Sequence, residues 1–271
     1  MQSFDEWQSE LKQWKKSSKT KFLGKRIIFF SDIGSTNTYL KENMQLQHGT
    51  IVIAQTQNQG KGQKNRTWIS NPGGLYMSIK LDIKPNKYFQ PFWVTGTIAI
   101  GLCHALKEFN LEPTIKWPND VLIDGKKVAG ILTESILSNE KITIIIGLGC
   151  NINNSLDVIF NLFPNLKTKI SSLQIESKKE AYIPFATVLE PMLLFLESKL
   201  ENKKFPDVSE IREEWLQYCQ IEEKEVEIEQ FDTGEIVNAI IKEVTETGSL
   251  LALVDGIEMK EFTSGDIKIK Y

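Results

Sequence analysis

Leu75-Tyr76-Met77-Ser78-Ile79-Lys80-Leu81-Asp82-Ile83 alternates apolar and polar residues without a break. Side chains along a β-strand point to opposite faces in turn, so this period predicts a half-buried strand with Leu75, Met77, Ile79, Leu81 and Ile83 toward the core. Upstream lie a glycine-rich loop and a second strand, Ile51 to Gln55. Before that, the small polar residues Ser35-Thr36-Asn37-Thr38 suit a helix N-cap and predict a brief helix to Met44, preceded by a strand from Ile27 to Phe30. At the N-terminus, Ser3 with Glu6 forms a capping box, and Phe4, Trp7, Leu11 and Trp14 recur at helical spacing.

Downstream, Ile98, Leu102, Ala105 and Phe109 predict a core-facing helix within Phe92 to Phe109. Val121 to Ile123 and Lys127 to Ser135 flank Asp124-Gly125 as a β-hairpin, and Ile142 to Leu148 supplies the next strand. Helices follow from about Ile183 to Leu200 and from Val208 to Cys219. Beyond Gln220 short β-rich runs are separated by Thr233-Gly234, Thr247-Gly248 and Asp255-Gly256, a spacing that predicts a small β-barrel. The expected fold class is α+β: a mixed-sheet main domain over residues 1–222 and a β-only domain over residues 223–271, which is small enough to need packing against its neighbour.

The 271 residues carry 32 Lys and Arg against 35 Asp and Glu, for a net charge of −3. So mild a balance argues against bulk electrostatic binding of nucleic acid. Cys103, Cys150 and Cys219 form no Cys-x-x-Cys pair and read as reduced thiols. The N-terminus lacks the pattern of a secretory leader and the longest apolar run is too short to span a bilayer, so a cytoplasmic location is expected, with no membrane partner. With only His48 and His104 available, a multi-histidine metal site is disfavoured and the metal ligands are unknown. Chemistry must then rest on Lys, Arg and backbone groups.

Three segments carry such groups. Gln57 to Trp68 is a glycine-rich loop with three cations, Lys61, Lys64 and Arg66. Glycines let backbone N–H groups approach an anion and the cations offset its charge, but a solvated surface loop has the same composition. No Gly-Lys-Ser/Thr is present, and a strand rather than a helix follows, which excludes a P-loop and a dinucleotide fingerprint. Thr114-Ile115-Lys116-Trp117-Pro118-Asn119-Asp120-Val121 sets a lysine inside an apolar strand, which packing does not explain. Either Lys116 serves a ligand or it pairs with Asp120 or another carboxylate. Ile146-Gly147-Leu148-Gly149-Cys150-Asn151 runs a buried strand into glycines, as a close backbone approach or a bulge requires.

Together these segments resemble the biotin protein ligase family over essentially the whole chain. Ser35-Thr36-Asn37 looks like the family's biotin-contacting motif, Gly60 to Trp68 its ligand loop, and Lys116-Trp117-Pro118-Asn119-Asp120 its catalytic segment. Lys127 to Leu132 and Gly147 to Asn151 match further family segments, and Gly248-Ser249-Leu250-Leu251 resembles part of its SH3-like C-terminal domain. The resemblance implies ATP-dependent formation of biotinyl-5′-AMP and transfer of biotin to a lysine of a biotin carboxyl carrier protein or domain of an acyl-CoA carboxylase. ATP and biotin are then substrates, Mg²⁺ accompanies ATP, and the protein acts as a monomer or homodimer without nucleic acid.

The same resemblance implies the site. Lys116 and Arg66 are the expected catalytic residues. Biotin falls to Ser35, Thr36, Asn37, Gln57, Gly60, Lys61, Gly62, Gln63, Lys116 and Gly130. ATP and the adenylate fall to Lys61, Lys64, Arg66, Trp68, Asn119, Lys127, Gly147 and Asn151. This sequence departs from the family pattern at Gln63, where arginine is common, and at Lys61, which cannot reproduce a bidentate guanidinium contact. The alternatives are a lipoate protein ligase, which shares the fold and the acyl-adenylate strategy, and a biotin-sensing regulator. The latter is disfavoured because only about two dozen residues precede the catalytic domain, fewer than a winged-helix unit needs.

Overall fold

The strand at Leu75–Ile83 lies third in the order of a seven-stranded sheet in the computed structural model, which describes residues 3–85, 89–138, 140–178, 181–200, 208–230 and 233–269. Helix α1 (Phe4–Ser17) is followed by β1 (Ile27–Ile33), α2 (Thr36–Glu42), β2 (Ile51–Gln57), β3 (Leu75–Ile83), α3 (Pro91–Lys107), β4 (Pro113–Lys116), β5 (Asp120–Ile123), β6 (Lys126–Leu137) and β7 (Ile142–Cys150). The sheet order is β1-β2-β3-β7-β6-β5-β4. Only β1 and β2 run parallel; the other neighbouring strands are antiparallel. Short helices α4 (Asp157–Leu162) and α5 (Leu173–Glu176) lead to α6 (Ala186–Ser198) and α7 (Val208–Cys219).

The expectation that β3 is half-buried is corrected: Tyr76, Ser78 and Lys80 on its polar face are as buried as the apolar residues. Strands β2 and β7 flank β3, and α2 packs across the polar face, so neither side meets water. Each polar group there has a partner, as burial demands. The Tyr76 hydroxyl donates to the Asn71 carbonyl at 2.7 Å, Lys80 pairs with Asp82 at 2.6 Å, and Ser78 joins the side chains of Thr36 and Asn37. The core side of the sheet is covered by α3 and α7, and α6 packs on α3. Gly96 and Gly101 of α3 sit against Trp215 and the Met192 carbonyl, so added side chains would crowd both neighbours. Helix α6 begins at Ala186, later than expected, and the preceding Ile183 N–H donates to Asn153 Oδ1 at 2.8 Å.

Strands β8 (Glu225–Glu229), β9 (Ile236–Val244), β10 (Leu250–Val254), β11 (Glu258–Phe262) and β12 (Asp266–Ile269) form a separate antiparallel sheet, ordered β11-β10-β9-β8-β12. This is the small β domain expected of the tail. Its core is continuous with that of the main domain. Two tryptophans pin the junction: Trp93 donates to the Glu246 carbonyl at 2.6 Å and Trp117 to the Gly248 carbonyl at 2.9 Å. No helix among the described residues is long and apolar enough to cross a membrane.

Candidate active site

The cleft that gathers the predicted residues opens beside β6 and β7, roofed by the loop after β2 and closed at one side by the start of β12. It holds about 880 Å³ of free space including its mouth.

One end is lined by uncharged polar groups. Ser35 caps α2 and thereby aims Thr36 and Asn37 at the cleft. Gln57 Oε1 accepts from the Thr36 N–H at 2.9 Å and from its hydroxyl at 3.1 Å, while Gln57 Nε2 donates to Ser70 Oγ at 3.0 Å. From beneath, Ser78 donates to Thr36 Oγ1 at 2.7 Å. Asn37 Nδ2 donates to Glu134 Oε2 at 2.9 Å, and Lys41 pairs with the other oxygen at 2.8 Å. Such a network fixes rotamers and presents donors and acceptors in set directions, which suits a ligand head with several polar atoms.

The other end carries charge. Lys61, Arg66 and Lys127 line it, with Gly62 and Gln63 beside them. Lys127 Nζ lies 2.6 Å from Asp120 and 5.1 Å from the centre of the Trp68 ring. Trp68 packs onto Gly130 and Gly149, which face each other across β6 and β7. Side chains at either position would collide with the indole, which explains glycines inside these strands. Among the described residues the buried Trp68 indole N–H has no acceptor, so a bound group could accept from it. Asn119 lines the cleft and donates to the Ile131 carbonyl at 2.7 Å; Gly147 lies against Asn37.

Four predicted residues stand outside the lining. Lys116 is nearest: its ammonium is 2.5 Å from Asp266 Oδ1, and Asp266 itself lines the cleft. Of the alternatives open for Lys116, pairing with Asp120 is corrected, because Asp120 turns to Lys127 although it is the cross-strand neighbour of Lys116. Gly60 is absent from the wall because its carbonyl accepts from the Trp68 N–H at 2.9 Å, which closes the base of the loop. Lys64 is exposed at the loop's outer turn with φ 51°. Asn151 is buried outside the cleft lining, where it donates to the Ser171 carbonyl at 3.0 Å and accepts from Asn154, so it braces the following segment. The loop is also better tied than its glycines suggest, through Gly62 N–H to the Arg66 carbonyl at 2.7 Å.

Sequence reasoning missed Ser70, Ser78, Glu134 and Asp266. Ser78 was legible as a polar residue of an alternating strand that needed a buried partner. For Asp266, 150 residues from Lys116 in the chain, no local signal exists. Burial disfavours ionisation of Asp266, but the bond to Lys116 and the charges of Lys116 and Arg66 outweigh it and hold the carboxyl below the ordinary range. Burial pushes the Cys150 thiol up to about 12, which removes it as a nucleophile.

Residues 29–151 match the model of the Biotin/lipoate A/B protein ligase family. The chain is 31% identical over 208 residues to the bifunctional ligase/repressor BirA of Bacillus spizizenii, a match that covers 74% of this chain and 62% of that protein. It is 27% identical over 221 residues to the human biotin–protein ligase, covering 76% of this chain and 30% of the human one. The match thus spans less than two thirds of either relative. Among solved structures, the biotin protein ligase of Aquifex aeolicus in complex with biotin and ATP superposes with a TM-score of 0.70 at 26% identity, covering 91% of this chain and 99% of that one.

Proposed function

We propose that the chain, whose residues 29–151 match the model of the biotin/lipoate A/B protein ligase family, joins biotin to AMP at the expense of ATP and passes the biotinyl group to a lysine of a biotin carboxyl carrier domain. What supports this is one juxtaposition: a fixed polar network at Thr36, Asn37 and Gln57 shares a cleft with the cations Lys61, Arg66 and Lys127, and Lys116 stands at its edge.

In the first half-reaction a biotin carboxylate oxygen attacks the α-phosphorus of ATP, an anhydride bond forms, and pyrophosphate leaves. Two anions must meet, so cations have to be in place before they do. Lys116 carries three N–H donors of which Asp266 Oδ1 takes one, which leaves capacity for the carboxylate and the α-phosphate. Arg66 and Lys61 face the departing phosphates, and Trp68 with Lys127 borders the nucleotide. The ureido head of biotin takes the network at Thr36 and Gln57. In the second half-reaction the amine of the carrier lysine attacks the acyl carbon and AMP departs, with Lys116 again offsetting charge on the leaving phosphate. No covalent bond to the protein is needed.

Mg²⁺ is expected to travel with ATP. Among the described residues no group of three or more His, Cys, Asp or Glu could hold a metal, so a protein-built cage does not fit and no step here runs through the ion. A cytoplasmic site of action belongs to the same proposal, supported by three free, buried thiols.

Incubating the protein with ATP and a biotin carboxyl carrier domain, in the presence of biotin or of lipoate, tests the assignment by intact mass. The carrier should gain one biotinyl group on a single lysine. Gain of lipoyl instead, or no modification in either arm, would overturn it.

A further inference from the structure

Asp266 stands where three distant parts of the chain meet. It opens β12, next to Gly265 and the buried Ile267, and its backbone pairs with Glu229 of β8, so a sheet sets its position. Its two oxygens are divided between two cations: Oδ1 accepts from Lys116 at 2.5 Å and Oδ2 faces Arg66 NH1 at 3.4 Å. Lys116 ends β4 and Arg66 belongs to the loop after β2. The small β domain therefore reaches the cleft through this carboxylate. It also holds the residue next to Lys116, since the Trp117 indole donates to the Gly248 carbonyl.

A lysine ammonium on four rotatable bonds is poorly placed by its own strand, and two cations drawn toward one anion site repel each other. A fixed carboxylate answers both problems. It restricts the Lys116 rotamers and offsets one of the two charges, while two of the three ammonium donors remain for a ligand. Such preplacement acts on the transition state more than on ground-state binding, because the cations meet their full charge only as pyrophosphate leaves.

Resting on the biotin-ligase reading above, we propose that Asp266 is a positioning residue of the adenylation step, by which the C-terminal β domain holds Lys116 and Arg66 at the cleft. The carboxylate acts through the two cations it gathers. The cost of losing it appears in turnover, since a displaced group about 1 Å out of place is enough to slow a step many-fold.

The test compares the full-length protein with Asp266→Asn and Asp266→Glu by biotin-dependent ATP–pyrophosphate exchange, equilibrium binding of biotin, and thermal unfolding. In Asp266→Asn, kcat for exchange should fall by about tenfold or more while the Kd for biotin changes by less than about threefold, and Asp266→Glu should recover a substantial part of kcat. An active wild type with unchanged kcat in Asp266→Asn overturns the proposal alone. So does a lower KM for ATP at full kcat, which would make Asp266 a competitor for the cations. Equal losses in biotin binding, thermal midpoint and kcat, unrelieved by glutamate, would reduce Asp266 to a domain staple and also overturn it. Should Asp266→Asn not fold, Asp266→Glu decides by itself: folded but as slow as an uncharged site, it contradicts the proposal. If the wild type shows no biotin-dependent exchange, the underlying reading fails and the proposal with it.

Discussion

Trp68 packs over Gly130 so closely that a Cβ on that glycine would fall 2.8 Å from the indole ring. The same atom would stand 3.2 Å from Lys127 Cε. Gly130→Ala should therefore push Trp68 and Lys127 from the charged end of the cleft, at an overpacking cost of about 1–3 kcal/mol. Raised KM for ATP, by about tenfold, is expected. Initial-rate kinetics with each substrate varied will tell; an unchanged KM for ATP would mean that Trp68 does not border the nucleotide.

Gln63 lines the cleft beside Arg66. A neutral amide holds a phosphate less firmly than a cation, since charge-assisted hydrogen bonds are roughly twice as strong. Gln63→Arg should slow release of biotinyl-adenylate several-fold and reduce stray biotinylation of bystander lysines. Stopped-flow release from both proteins decides the matter, and equal rates would assign Gln63 to solvent.

How much of this was legible beforehand differs from element to element. The alternation at Leu75–Ile83 located an interior strand of the sheet, but not that α2 would bury its polar face, because a covering helix leaves no trace in the strand's own period. Ser35 as an N-cap was readable, since capping is a local demand, whereas the pairing of Gly130 with Gly149 under Trp68 was not. The bond from Asn151 to the Ser171 carbonyl was not legible, because an asparagine after a glycine-rich strand braces a backbone as readily as it meets a ligand. The partner of Lys116 was out of reach: Asp266 is brought to it by docking of one sheet against another, a relation that spacing does not encode.

Glu190 on α6 accepts from the Trp14 indole, the Ser18 hydroxyl and the Lys19 N–H, each at 2.7 Å, and so fastens the end of α1. Burial disfavours its charge, but these bonds outweigh burial and hold its carboxyl below the ordinary range. A carboxyl so depressed contributes stability that is complete above the unfolded-state value and lost as pH falls through the folded one. Glu190→Gln should lower the urea midpoint at neutral pH, and the gap from wild type should close on acidification. A gap independent of pH would show that shape, not charge, fastens the helix.

The loop from Gly60 to Trp68 is tied by a few backbone bonds and exposes Lys61, Lys64 and Arg66 to trypsin. Ligand anions should add bonds to these cations and hold the loop shut. Tryptic cleavage within the loop should slow strongly with biotin and ATP together and little with either alone. Equal cleavage in all samples would count against a ligand-binding loop.

Lys116 is where the two half-reactions converge, and replacing it by methionine keeps the stem while removing the charge. Loss of one such stabilising contact costs about 3 kcal/mol, roughly a hundredfold in rate. Biotin-dependent ATP–pyrophosphate exchange, measured on wild type and Lys116→Met side by side, is the most direct test of adenylate chemistry at this cleft. Wild type should exchange with biotin and not with lipoate, and Lys116→Met should fall by about a hundredfold. Exchange by the variant within about threefold of wild type would make Lys116 a structural residue and contradict the proposed mechanism.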